Sequence, residues 1–121
     1  MDAFSPVDVL AADLPLVEVP REQVTSGSPR TGVQPVLDVF GVEIGIWEMT
    51  EGGMRDIEID EVFIVLEGEA SVTLLVDEVE TERIDLRPGS LCRLSAGSAT
   101  RWDVSRALRK VYVIEREASD S

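Results

Sequence analysis

The sequence predicts an all-β fold, a single barrel or sandwich of short strands preceded by an extended N-terminal arm. Three observations carry this. From residue 36 the chain is a succession of β-branched apolar runs broken by Gly, Pro and acidic clusters, at the ~8–12-residue spacing of sandwiches and barrels. No window in that stretch carries the apolar stripe of a helix. The first 36 residues hold five of the six prolines, at Pro6, Pro15, Pro20, Pro29 and Pro35, which sets them apart as a segment of short extended pieces. A chain of 121 residues fits one domain, and its 44% hydrophobic content supports a core despite a formal net charge of −13.

The elements follow in order. Residues 1–36 are expected to form an arm packed on the main body, because Val7, Val9, Leu10, Leu14, Leu16, Val17 and Val19 are too apolar for a free tail. A short helix near 7–13 is compatible with this stretch, and SGSPRTG at 26–32 reads as a connector. The barrel is expected over 37–116, as about eight strands drawn from the runs VLDVF, VEIGIWEMT, MRDIEI, EVFIVLEGE, ASVTLLV, VETERIDL, SLCRLSAG, ATRWDV and LRKVYVIERE. Residues 117–121 read as a disordered tail. Gly52-Gly53 and Gly97 follow apolar runs where positive φ is expected, and Pro88-Gly89 suits the centre of a type II turn. Asp77-Glu78 has no glycine, so the hairpin there is expected to be longer and less ordered.

Composition excludes much chemistry. There is no histidine, so a Ser-His-Asp triad, a Cys-His dyad, an imidazole proton shuttle and a histidine-ligated metal are all closed. The single cysteine, Cys92, forms neither an internal disulfide nor a cysteine-rich metal site, and fits a reducing compartment. Asp2, Asp8 and Asp13 precede the first basic residue, Arg21, the reverse of a secretory start. No apolar run reaches the ~18 residues of a membrane span. A cytoplasmic protein without membrane contact is expected.

Charge is unevenly distributed. Residues 38–86 hold fifteen acids against Arg55 and Arg83, while residues 87–116 hold seven basic residues against Asp103 and Glu115. Such a balance repels phosphate backbones and argues against nucleic-acid binding. The acids are either a solvated surface or partners for the basic late strands.

Alternation assigns faces. Along 54–65 the odd positions Arg55, Ile57, Ile59, Glu61, Phe63 and Val65 are read as inward, and Met54, Asp56, Glu58 and Asp60 as outward. Arg55 and Glu61 are then the charged groups of the inner face, meeting across a bend near 58–60 or lying at a barrel mouth in water. Glu61 is a candidate general base, and Arg55 a clamp for a carboxylate or phosphate.

The stretches DEVFIVLEGE (60–69) and RPGSLCRLSAGSATRWDV (87–104) resemble the two cupin motifs, with Glu61, Gly68, Gly89 and Gly97 at the expected offsets. GIWEMTEGG at 45–53, VLEGE at 65–69, PGS at 88–90, TRWDV at 100–104 and LRKVYVI at 108–114 are similar to the small cupins related to (S)-ureidoglycine aminohydrolase and to the ethanolamine-utilisation cupin. The resemblance spans about residues 25–115. It implies a double-stranded β-helix, or jelly roll, and a homodimer. It puts Thr100, Trp102 and Val104 on the pocket face.

The departures are as informative. The resemblance puts Arg55 and Ile57, or Met54 and Asp56, at the positions of the first motif's histidines, Thr100 at that of the second, and Ser95 at that of its proline. Only Glu61 survives among the usual ligands, and one carboxylate does not hold a transition metal. No metal and no cofactor are expected. Two functions then stand side by side: a metal-independent module that binds a small anionic or amide compound, and, by resemblance, an enzyme acting on a C–N bond with Glu61 as base. The expected ligand-binding residues are Arg55, Phe63, Thr100, Trp102, Trp47 and Tyr112. Trp102 either fills the barrel or forms an aromatic wall, and Tyr112 either packs with a bonded hydroxyl or serves as an acid.

Overall fold

A computed structural model describes residues 6–116, so the tail expected at 117–121 lies outside the described residues. The fold is all-β. Its strands are β1 (Val17–Glu18), β2 (Val24–Gly27), β3 (Arg30–Val39), β4 (Val42–Met49), β5 (Gly52–Ile57), β6 (Glu61–Val76), β7 (Val79–Leu86), β8 (Leu91–Leu94) and β9 (Ala99–Glu115), with one 3₁₀ turn at Arg21–Gln23. All pairings are antiparallel.

Two long strands organise the sheet. β6 and β9 pair along nearly their whole lengths, from Glu61↔Ile114 to Leu75↔Ala99. On its far side β9 meets β4 through Val42–Met49 and β5 through Gly52–Ile57, while β6 meets β8 through its first residues and β7 through its last. Each long strand thus runs through both halves of a jelly roll. The sequence suggests two separate runs for each of them, EVFIVLEGE and ASVTLLV, ATRWDV and LRKVYVIERE. The structure joins each pair through a bend, where the β6–β9 register shifts repeatedly between Val65 and Ala70. Gly68 makes the bend, with φ +95°, and a Cβ there would strike the Ala107 carbonyl.

The arm is more strand-like than expected. β2 pairs with β5, and β3 starts at Arg30, so part of 1–36 belongs to the sheet itself. At 7–13 there is one turn, in which the Asp8 carboxylate accepts the Leu10 and Ala11 amides. The Asp77-Glu78 hairpin corrects the sequence reading. It is a tight two-residue connection joining Val76 and Val79, with φ of 51° and 64°; this is the left-handed pair that a right-twisted hairpin needs, adopted here without glycine. Pro88-Gly89 is the expected turn, with φ 93° at Gly89 and the Ser90 amide donating to the Arg87 carbonyl.

The core lies between the two halves. Met49, Met54, Phe63, Val65, Val72, Trp102, Val104, Leu108 and Tyr112 form it. Several of the late basic residues pair with the acidic middle of the chain, as the second reading of the charges has it: Arg109 with Glu48, Lys110 with Glu61, Arg101 with Glu80.

Candidate functional site

The inner face of β5 is the opposite of the one alternation suggests. Met54 is buried, whereas Ile57 and Ile59 are 65% and 55% exposed. Arg55 points outward and its guanidinium meets the exposed Glu78 carboxylate at 2.6 Å, so it is no part of an internal anion clamp. The physical reason is the segment 58–60, which leaves the sheet between β5 and β6 and changes the parity. Inward residues are even-numbered before it and odd-numbered after it. Asp56 and Glu58 therefore share a cavity with Glu61, while Asp60 turns to the next loop and accepts the Ala96 amide at 2.9 Å.

That cavity, of about 200 Å³, is lined from β3, β4, β5, the start of β6, β9 and segment 58–60. Its polar lining is Glu43, Asp56, Glu58, Glu61, Lys110 and Tyr112, and its walls are Trp47, Trp102, Ile59, Val33 and Ile114. Of the residues proposed from sequence, Glu61, Trp47, Trp102 and Tyr112 are here. Phe63 and Thr100 are buried behind the lining, acting through Lys110 and Glu58 respectively.

Lys110 is the residue that sequence reasoning missed. It is 4% exposed. Its Nζ donates to Glu61 Oε2 at 2.6 Å and sits 4.2, 4.6 and 4.8 Å from the ring centres of Phe63, Trp47 and Trp102. One carboxylate and three ring faces thus flank the ammonium, which also lines the cavity, and each is an arrangement that favours a cation. A signal was present: Thr100, Trp102, Val104, Leu108, Lys110 and Tyr112 share one parity along β9, which makes Lys110 a charged residue on the inward face.

Glu58 is held as firmly. Its Oε2 accepts Thr100 Oγ1 at 2.6 Å and Trp102 Nε1 at 2.9 Å. Its backbone is pinned from both sides, its amide donating to the Ser98 carbonyl and its carbonyl accepting the Gly97 amide. Tyr112 donates its hydroxyl to Glu43 Oε2 at 2.7 Å; burial, and then that bond, push its phenol well above the ordinary range, so it stays a donor at neutral pH. Burial, with the neighbouring Glu58 charge second, raises the Asp56 carboxyl above its ordinary value.

The donor set does not fit a metal ion. Among the described residues no group of three or more Asp, Glu, Cys or His is arranged to hold one. The Glu61 carboxylate is bound to an ammonium, and Glu58 to a hydroxyl and an indole.

A curled antiparallel sheet with two long shared strands is the architecture of a jelly-roll barrel, to which cupins belong. The chain belongs to the EutQ-like cupin domain family, whose model matches residues 38–112. Among solved structures it is similar to a protein of unknown function from Pseudomonas syringae pv. tomato, at 19% identity and a TM-score of 0.69, over 88% of this chain and 46% of that one. It is similar to a putative ethanolamine utilization protein from Salmonella typhimurium, at 14% identity and a TM-score of 0.61, over 88% of this chain and all of that one (100%). It is also similar to the EutQ protein of Clostridium difficile, at 19% identity and a TM-score of 0.57, covering 72% of this chain and 63% of that one. These likenesses establish the fold. No curated protein matches the chain. No helix among the described residues is long and apolar enough to cross a membrane.

Proposed function

We propose that the barrel is a metal-independent binding site for a small neutral compound bearing both a carbonyl and N–H groups, a primary amide or ureido compound. The observation that carries this is the pairing of Lys110 with Glu61 in a cavity that three further carboxylates line and two indoles wall. Such a guest would offer its carbonyl to the Lys110 ammonium and its N–H groups to carboxylate oxygens, while its flat π-system lies against Trp47 or Trp102. The anionic guest also considered from sequence has less support, because Arg55 faces away and the lining holds four carboxylates to one ammonium. Hydrolysis of a C–N bond, as in the ureidoglycine-related cupins, is the weaker reading: Glu61, the base it would use, is bound to Lys110 at 2.6 Å.

The two tryptophans are the only ones in the chain, so intrinsic fluorescence reports on the cavity directly. Titration with acetamide and methylurea is expected to give a saturable change, and acetate none. A flat response to both amides, or saturation by acetate alone, overturns the reading.

A further inference from the structure

We propose that Lys110 is a built-in cation, a tethered ammonium that stands beside Glu61 where the cupin pattern would place a metal ion. The proposal does not depend on any guest. It rests on the mismatch between the donors present and any metal, together with their match to an organic ammonium. A divalent ion needs several lone-pair donors at short range. The surroundings of Nζ supply one carboxylate oxygen at 2.6 Å and three aromatic faces, and ring faces attract an ammonium through their quadrupole without offering lone pairs.

The remaining carboxylates have partners of their own. Glu58 is held by Thr100 and Trp102, Glu43 by Tyr112, and Asp56 accepts the Ile57 amide. The register supports the design: Lys110 lies opposite Val65 on β6 and Trp47 on β4, so the backbones of both neighbours fix where the stem starts. A covalent cation keeps one positive charge next to Glu61 at any metal concentration, and a chelator cannot remove it.

Truncation at Cβ should leave a hole of the size and charge preference of n-propylammonium. The test is thermal unfolding of Lys110→Ala with added n-propylammonium chloride, against sodium chloride at equal ionic strength. The variant is expected to lose stability and to regain at least about 3 °C in Tm in a saturable manner. Wild type should not respond, and Glu61→Gln in the same background should abolish the rescue. If Lys110→Ala is unfolded in buffer, propylammonium must restore a cooperative transition. A second variant, Lys110→Met, keeps the volume and removes the charge; there Glu61→Gln is expected to raise Tm, whereas in wild type it lowers it. Absent rescue in Lys110→Ala, equal effects of Glu61→Gln in both backgrounds, or one equivalent of divalent metal bound by wild type and lost in Glu61→Gln would each overturn the proposal. Amide binding without propylammonium rescue would sink this inference alone, and rescue without amide binding would sink only the reading of the guest.

Discussion

Lys110 Nζ and Glu61 Oε2 are 2.6 Å apart, with side chains only 5% and 11% exposed. The pair is thus desolvated on both sides, and what matters is the asymmetry between removing it and breaking it. Breaking a buried pair strands one charge in a poor solvent, which costs about 3–5 kcal/mol. Glu61→Leu is therefore expected to lower the unfolding free energy in urea by about 3 kcal/mol or more. A loss below about 1 kcal/mol would show that the ammonium finds water in the cavity after all.

Glu58 presents the complementary case, a buried carboxylate with neutral donors. Thr100 and Trp102 both donate to the same oxygen, so each carries part of the solvation that burial removed. Thr100→Val keeps the shape and deletes one donor, and is expected to cost about 1–3 kcal/mol. Because Glu58 then leans on the Trp102 indole alone, the emission of Trp102 should shift as well. Unchanged stability together with unchanged emission would refute the arrangement.

Much of this fold was legible from residue order, and the site only in part. The β-branched runs and the glycines at 52, 89 and 97 announce strands and turns, because pleat and positive φ are local properties. Glu61 is read as inward by the same alternation, whereas Trp102 is put on the pocket face only by the cupin resemblance. Arg55 could not be placed, since parity along β5 depends on how segment 58–60 leaves the sheet, and nothing local in DIEIDE records that. The same parity reading turns Asp56 and Glu58 outward, whereas both line the cavity. Lys110 was readable in principle from the parity of β9. Its burial becomes credible only once Glu61 and three rings from β4, β6 and β9 converge on it, which is a property of tertiary pairing.

Asp56 gives a pH signature. Its carboxyl is raised above the ordinary value by burial and by Glu58, so the folded state holds the proton more tightly than the unfolded chain does. Ionisation then works against folding: stability falls as pH rises from the unfolded value through the folded one, and stays reduced above it. Asp56→Asn keeps an oxygen for the Ile57 amide, which donates to Oδ1 at 2.8 Å. It is expected to stabilise the protein at neutral pH and to give no advantage below the ordinary carboxylate range. Urea midpoints measured across that range check this, and a pH-independent difference would contradict it.

Two arginines separate surface pairs from anchoring ones. Arg55 meets Glu78 with both side chains largely in water, and Arg55→Ala is expected to cost no more than about 1 kcal/mol. Arg109 is only 11% exposed; it bonds Glu48 at 2.6 Å and donates to the Val9 and Leu10 carbonyls of the arm. Arg109→Met keeps the apolar stem and removes those donors. Limited proteolysis should then cut within residues 6–16 well before the barrel, whereas Arg55→Ala should digest like wild type. Equal digestion of the two variants would mean that apolar contacts alone hold the arm.

Gly45 decides where Tyr112 lies. The two face each other across β4 and β9, and a Cβ at residue 45 would collide with the Tyr112 hydroxyl and ring and with the Gln34 carbonyl at 2.7 Å. Backbone strain is no part of the argument, because Gly45 is not among the positive-φ glycines; the requirement is space for a phenol. Gly45→Ala must push the ring away from β4, lengthening the 2.7 Å bond to Glu43 and crowding the cavity floor. A loss of about 1–3 kcal/mol is expected, as for other overpacked cores. The informative control is Gly45→Ala combined with Tyr112→Leu, which removes the obstructing hydroxyl and part of the ring. Alanine should then cost less than it does opposite tyrosine, and a double-mutant cycle with no coupling would show that β4, rather than Tyr112, accommodates the added methyl group.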